Sequence, residues 1–467
     1  MVEKRWYQKL PNTYIILFTM ILFGAVLTWI IPAGEFTRIA SPTGRMIIEN
    51  GTYHGVEKNP ASLFDVFVAI PKGLEASAQI IFMILLSSGT FGLMNYTGAL
   101  ENSIGVLIKK TQKLNISGSK VVFFITCLFS CLGIIIGPEI LIPFTLIAVS
   151  IALGLGFDLL TGAGMVIVGG GIGFAMSPIN ASTIGTSDAI CGLPLFSGML
   201  FRSLVWFTTT IAAALVLTRY ARMVKENPES SYTKGIRVDG LGLEKDIEEY
   251  QLSRKDKRVL GVFFALFLCL IIGPTKLHWY LNEMMAVFLI SAIAVAVVAK
   301  IKAEEATRIF MKSAGAMYGA AMMVGLGRSI QVVMQNGKVL DTIVKVISEP
   351  LANFGPYIAA PMMTSVHGLV NFLIPSGSGQ AAATMPIMFP VGQLVGLTDQ
   401  TSILAFQIGD GITNLIFPTA GAMMAILGMA RVPFEKWVKF AIRVVVVVYA
   451  VTWIFLLIAV KINWGPF

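Results

Sequence analysis

The chain has 467 residues, 55% hydrophobic and only 13% charged, with a mean hydropathy of +0.77. A soluble domain carries roughly 25% charged residues, so this balance excludes a water-soluble globule of this length. The formal net charge of +9 is gathered at Lys4, Arg5 and Lys9, at Lys109, Lys110 and Lys113, and between Arg219 and Arg258. Without aromatic or Gly-rich RNA-binding signatures, that is positive-inside bias, and nucleic acid is excluded as a partner.

The elements follow in chain order. Tyr14–Ile31 has the span of about 17 or more apolar residues that crosses a bilayer. It is too long for a signal peptide and lacks a small-residue cleavage site. A cytoplasmic N-terminus puts the end of this span outside, so the polar stretch Pro32–Lys72 is external. A span at about Ala76–Met94 returns to the Lys109–Lys120 cluster. The apolar stretch Lys120–Gly156 is interrupted at Gly137-Pro138-Glu139, which predicts a re-entrant hairpin over about 120–156. A broken span at about 161–190 leads out and Leu200–Leu217 leads back. Arg219–Arg258, with ten Lys and Arg, is then cytoplasmic.

Spans at Val259–Ile272 and Met284–Ala299 lead out and back. The next, about Phe310–Val333, runs outward where its counterpart ran inward. A second hairpin at about 355–396, with its tip at Pro375–Gln380, precedes a broken span at about 401–430 that ends inside near Arg431, Lys436 and Lys439.

Five segment pairs repeat in order at an offset of about 239 to 243 residues. Gly98 matches Gly337, Glu101 falls one place from Asp341, Pro143 meets Pro386, Pro178 meets Pro418, and LPLFSG at Leu193 meets VPFEKW at Val432. The expectation is an all-α polytopic membrane protein with a first half at 1–218, a cytoplasmic linker at 219–258 and an inverted second half at 259–467. Inverted repeats with interrupted helices are the pattern of secondary transporters. Irregular backbone survives at membrane depth only where protein or a water-filled cavity satisfies it, so the interruptions point to the binding site.

The second tip, Pro375-Ser376-Gly377-Ser378-Gly379-Gln380, offers converging backbone amides, two hydroxyls and an amide. The two breaks place proline beside polar side chains: Ser177, Asn180, Ser182 and Thr183 around Pro178, and Asn414 and Thr419 around Pro418. Proline frees a carbonyl there, and the adjoining half-helix ends can hold a cation or a carboxylate. Intramembrane charge is expensive and needs a partner or a function, which singles out Glu139, Asp188, Asp410 and Arg328. Three acids favour a cationic solute or coupling to Na⁺ or H⁺, with Ser177, Asn180, Asp410 and Asn414 the candidate surroundings of a Na⁺. Arg328 would pair with an acid or anchor a carboxylate.

The remaining features read as structural. His54 and His278 fall in loops, His367 faces Asn371 one turn on, and Gly169, Gly170, Gly171 and Gly173 suit close helix packing. Cys127 and Cys131 share a helix face without a further metal ligand. No Ser–His–acid, His-rich or Cys-rich constellation supports an enzyme.

Trp29-Ile30-Ile31-Pro32-Ala33-Gly34-Glu35-Phe36, the Pro375–Gln380 tip followed by MPIMFP, and AFQIGDGITNLIFPTAG from Ala405 resemble the C4-dicarboxylate anaerobic carrier-like family in its YfcC-type branch. The likeness covers nearly the whole chain. It implies the ion-transporter superfamily fold, a bacterial cytoplasmic membrane location, and a homodimer. Each protomer would move a transport domain bearing both hairpins past a scaffold, as an elevator. Relatives include arginine/ornithine exchangers, C4-dicarboxylate carriers and short-chain fatty-acid carriers. The acids make a basic amino acid the first expectation for the solute, and a dicarboxylate or other small carboxylate the second. An ion channel would instead call for continuous pore-lining helices.

Overall fold

A computed structural model describes residues 13–40, 46–49, 51–135, 137–241, 247–277, 279 and 281–465. The basic N-terminal cluster and His278 lie outside the described residues. Among the described residues, five helices are long and apolar enough to cross a membrane, and the pair Ala303–Ala316 and Ala321–Asn336, bent by 42°, makes a sixth when taken as one broken span. The protein is a multi-pass α-helical membrane protein.

Helix pairs recur along the chain. Leu63–Ala76 and Ala78–Tyr96 return as Ala303–Ala316 and Tyr318–Asn336, and Ala99–Lys113 returns as Leu340–Ser348. The first hairpin, Gly118–Ile135 then Pro138–Gly154 with a 3-10 turn at Ile142–Phe144, corresponds to Pro356–Leu373 then Gly377–Leu394. The first broken helix, Leu159–Ala175 then Ala181–Cys191, corresponds to Asp399–Thr413 then Gly421–Met429, and Met199–Glu226 corresponds to Phe434–Lys461. The paired starts keep a nearly constant separation, from Leu63 against Ala303 to Met199 against Phe434. Thr13–Ile30, which packs on Tyr318–Asn336, has its partner in Leu281–Val298, which packs on Ala78–Tyr96, whereas Arg254–Lys276 has none. One extra crossing before the second half reverses its direction, which is how an inverted repeat is made.

Two features depart from the sequence expectation. The polar stretch taken as external to Lys72 folds from Leu63 as a helix, started by a capping box in which Ser62 and Asp65 satisfy each other's backbone amides. The scaffold spans are also broken, at Ser77 and at Met317. The halves exchange partners in this scaffold: Leu63–Ala76 packs on Tyr318–Asn336, and Ala78–Tyr96 packs on Ala303–Ala316.

The two arm helices, Ala99–Lys113 and Leu340–Ser348, are each held by a connector at matching positions. On the first, Glu101 accepts from Tyr250 Oη and Asn102 donates to Asp256 at 3.0 Å. On the second, Asp341 accepts from Phe36 N at 3.0 Å and Arg38 Nη2 at 2.9 Å, and Thr342 meets Tyr53 Oη at 2.8 Å. Phe36, Arg38 and Tyr53 belong to the loop after the first helix, whose short strands pair Gly34–Glu35 with His54–Gly55 and Arg38–Ala40 with Met46–Ile48.

The hairpins and broken helices form the densest part of the core. Leu159–Ala175 lies against Gly118–Ile135, and a Cβ at Gly169 or Gly173 would collide with the carbonyl of Thr126 or Ser130. Only glycine permits that separation, so the run at Gly169–Gly173 serves helix packing.

Candidate functional site

Both hairpin tips and both helix breaks open on one cavity of about 880 Å³. The first tip contributes Gly137, Pro138 and Glu139, and the second contributes Pro375 to Ser378. The first break contributes Ile179 to Ser182, the second Asn414, Leu415 and Thr419 to Gly421, and the scaffold Ser77, Gln79, Trp279 and Arg328.

Each interruption is fixed locally. Ser376 caps Gly377–Leu394 by accepting from Gly379 N at 3.3 Å. The first amides of that helix have no intrahelical partner, so a partial positive charge faces the cavity. Asn180 caps the π-turn Ala181–Gly185, its Oδ1 accepting from Ser182 N at 2.8 Å, Thr183 N at 3.1 Å and Ser182 Oγ at 2.8 Å. Trp437 Nε1 donates to the Leu415 carbonyl at 2.8 Å at the second break. Gln407 Nε2 donates to the Ser177 carbonyl at 2.8 Å, tying the two broken helices together.

Nine of the sequence-selected residues line the cavity: Glu139, Asn180, Ser182, Arg328, Ser376, Gly377, Ser378, Asn414 and Thr419. Glu139 and Arg328 are half-buried, and neither takes part in an ion pair among the described residues. Of the two roles expected for Arg328, pairing with an acid is not seen among the described residues, and among them the cavity lining holds Arg328 and Glu139 outside any ion pair.

Four residues lie directly behind the lining. Gly379 continues the capped turn, and Gln380 is fully buried, its Nε2 donating to the His367 carbonyl at 2.8 Å. Asp410 is fully buried, and neither carboxylate oxygen has a hydrogen-bond partner among the described residues. The Thr183 hydroxyl is likewise buried and bare. The two meet at the second tip, where a Cβ on Gly377 would lie 2.5 Å from Thr183 Cγ2 and 3.5 Å from Asp410 Oδ2. Asn371 Nδ2 holds this helix end by donating to the Asp410 carbonyl at 2.7 Å, Thr413 Oγ1 at 2.8 Å and Asn414 Oδ1 at 2.9 Å. Two bare carboxylate oxygens and a hydroxyl are hard donors suited to Na⁺ or a proton.

Two selected residues sit elsewhere. Ser177 Oγ donates to the Ile134 carbonyl at 2.9 Å and is engaged in the fold. Asp188 does not line the cavity. Its Oδ2 accepts from Phe196 N at 2.7 Å, and the charge acting on it comes from Arg202, a fully buried residue concealed in a span that reads as apolar. The Arg202 Nη1 bonds the Ser197 carbonyl and Gln400 Oε1, and its guanidinium lies 5.1 Å from the Trp464 ring centroid. Sequence reasoning also missed Ser77, Gln79 and Trp279. The one available signal was that Ser77 and Met317 fall at the repeat offset.

A family model described as the C4-dicarboxylate anaerobic carrier, DcuC, matches residues 10–461. The chain is 29% identical over 479 residues to the putative basic amino acid antiporter YfcC of Escherichia coli (strain K12), with 93% of each chain covered. It is 23% identical over 495 residues to an uncharacterized protein of Haemophilus influenzae, with 95% of each covered. The YdaH transporter structure from Alcanivorax borkumensis aligns with 98% of this chain and 100% of that one, at 14% identity and a TM-score of 0.44. The matched family is one of carriers and the Escherichia coli relative is a putative antiporter, neither an enzyme, and the chain belongs to the C4-dicarboxylate anaerobic carrier family.

Proposed function

We propose that this protein is a secondary transporter of an amino-acid-like solute, a basic amino acid first of all, working by uptake or exchange. The carrying observation is the pair of opposite charges in one cavity, outside any ion pair among the described residues, Arg328 from the scaffold and Glu139 from the first tip. An amino acid presents both complements. Its carboxylate meets Arg328 and the open amides at Gly377, and its cationic group meets Glu139. The likeness to a putative basic amino acid antiporter supports the same reading.

Asp410 and Thr183 form the seat of the coupling ion, Na⁺ or H⁺. A bare buried carboxylate is costly, and a bound cation at the second tip would offset that cost while closing the tip over the solute. The hairpins and broken helices move together past the scaffold as an elevator in each protomer of a homodimer, with the N-terminus cytoplasmic.

A second reading, a carrier of dicarboxylates or other small carboxylates, is favoured by Arg328, the capped helix start at Gly377 and the family's description. Uptake of labelled arginine and labelled succinate into proteoliposomes separates the two. Saturable arginine accumulation or exchange, with succinate inert, is expected. Failure of arginine to exchange or accumulate removes the first reading, and unsaturable current would replace both with a channel.

A further inference from the structure

A second cavity, of about 450 Å³, lies far along the chain from either tip, between Met199–Glu226 and Phe434–Lys461. Its lining includes Arg219, Arg222 and Arg443 against one acid, Glu226, over a floor of Tyr220 and Phe440. The floor is rigid. The two rings pack at 5.1 Å between centroids, and Tyr220 Oη donates to Asp158 at 2.6 Å. Arg443 is oriented by its hydrogen bond to Tyr232 Oη at 2.8 Å, which leaves most of its five N–H donors free. Arg219 and Arg222 are exposed and make no ion pair among the described residues.

The depth of this cavity is set by helix length. Each helix has 28 residues, about 42 Å at 1.5 Å per residue, against a hydrocarbon core of about 30 Å. The surplus of about 12 Å corresponds to the last two turns of the first helix, where Arg219, Arg222 and Glu226 lie. On the second helix, the residues after Arg443 form an uncharged, predominantly apolar run to Val460. The arginines therefore stand at headgroup level. Leu215, one turn deeper on the same stripe as Arg219, is 55% exposed, and Val446, one turn deeper than Arg443, is 61% exposed. A basic mouth thus opens onto an apolar track, at the end of the molecule that positive-inside bias assigns to the cytoplasm.

The geometry points to a binding site for one anionic phospholipid, its phosphate held by Arg219, Arg222 and Arg443 and its acyl chains lying along Leu215 and Val446. Basic pockets between transmembrane helices on this side hold such headgroups. A soluble phosphorylated molecule shares the phosphate but would leave the apolar track bare.

Native mass spectrometry of the detergent-purified full chain, equilibrated with phosphatidylglycerol or phosphatidylcholine, reads the site directly. The expected result is one phosphatidylglycerol retained per chain, several-fold over phosphatidylcholine, with a raised thermal midpoint. The triple variant Arg219→Gln, Arg222→Gln, Arg443→Gln should lose the preference, and the matching triple Lys variant should keep much of it. Lys110→Gln with Lys113→Gln, on the first arm, should change nothing. Equal retention of the two lipids by the parent would overturn the site, as would an undiminished preference in the triple Gln variant. Inorganic phosphate or glycerol 3-phosphate that displaces the lipid and stabilises the protein equally would overturn the lipid assignment. Because preference is read as a ratio within each folded population, partial loss of folded protein does not blur the outcome.

Discussion

Asp188 and Asp410 are both fully buried carboxylates beside a helix break, yet they serve opposite ends. Asp188 accepts a backbone amide through Oδ2, its Oδ1 being bare, and lies under the charge of Arg202, which is bonded through Nη1 alone to Ser197 and Gln400 and lies over Trp464. Asp410 has no partner for either oxygen among the described residues, and its neighbours Thr183 and Asn371 also keep a bare oxygen. A buried charge with partners is a device of the fold, and one without them implies an occupant. The contrast makes a divided prediction: damage at Asp188 and Arg202 falls on stability, and damage at Asp410 falls on transport.

The largest effect on stability is expected at Arg202. Arg202→Met removes the cation acting on Asp188 and strands the Ser197 carbonyl and the buried Gln400 as acceptors, a loss of about 1–3 kcal/mol. Thermal unfolding should shift sharply downward, while the molecules that remain folded transport at the parent's rate. Adding Asp188→Asn should recover part of the loss, since the two changes share one interaction. A stable Arg202→Met protein without transport would erase the distinction, because Asp188 would then belong with Asp410.

Asp410→Asn is the mirror experiment. It removes a carboxylate that nothing in the fold compensates, so the thermal midpoint should hold or rise. Ion-coupled uptake should fall about 100-fold or more, equivalent to roughly 2.7 kcal/mol of lost binding. Uptake with unchanged ion dependence would show that the occupant of this site is not the coupling ion.

The sequence revealed the elements of this comparison but not its outcome. Hairpins and breaks were legible because Gly137-Pro138 and Pro375–Gln380 interrupt otherwise continuous apolar runs, and because paired prolines recur at one offset. The breaks at Ser77 and Met317 have no proline at the break itself, and the glycines near them, Gly73 and Gly315, do not interrupt the apolar run as the hairpin tips do. They follow from the packing of each scaffold helix across the other half, as at Gly73 against Gly325 and Ser329, which no local pattern encodes. Asp188 looked like a lining residue because it follows the first break. The helix Thr186–Cys191 turns it away from the cavity, toward a guanidinium brought close by the loop Gly192–Gly198. For Arg328 the sequence left both an internal pair and a carboxylate anchor open, and the choice depends on where the acids lie in the fold. A charge can be located in sequence, but its partner is a property of the tertiary fold.

The smallest effect, and the finest test, lies on the segment that joins the two acids. Asn180 opens it and Asp188 lies near its end, so one short stretch serves both sites. Asn180→Ala withdraws the acceptor that holds Ser182 N, Ser182 Oγ and Thr183 N, a capping loss of about 1 kcal/mol. If Thr183 joins Asp410 in holding the ion, loosening that turn should raise the half-saturating ion concentration several-fold in uptake assays. The thermal midpoint should move far less than for Arg202→Met, because Phe196, Arg202 and Trp464 keep the far end in place. A large thermal shift with unaltered ion dependence would mean that the segment acts as one structural unit. The π-turn would then transmit nothing to Asp410, and the two carboxylates would have to be compared as independent sites.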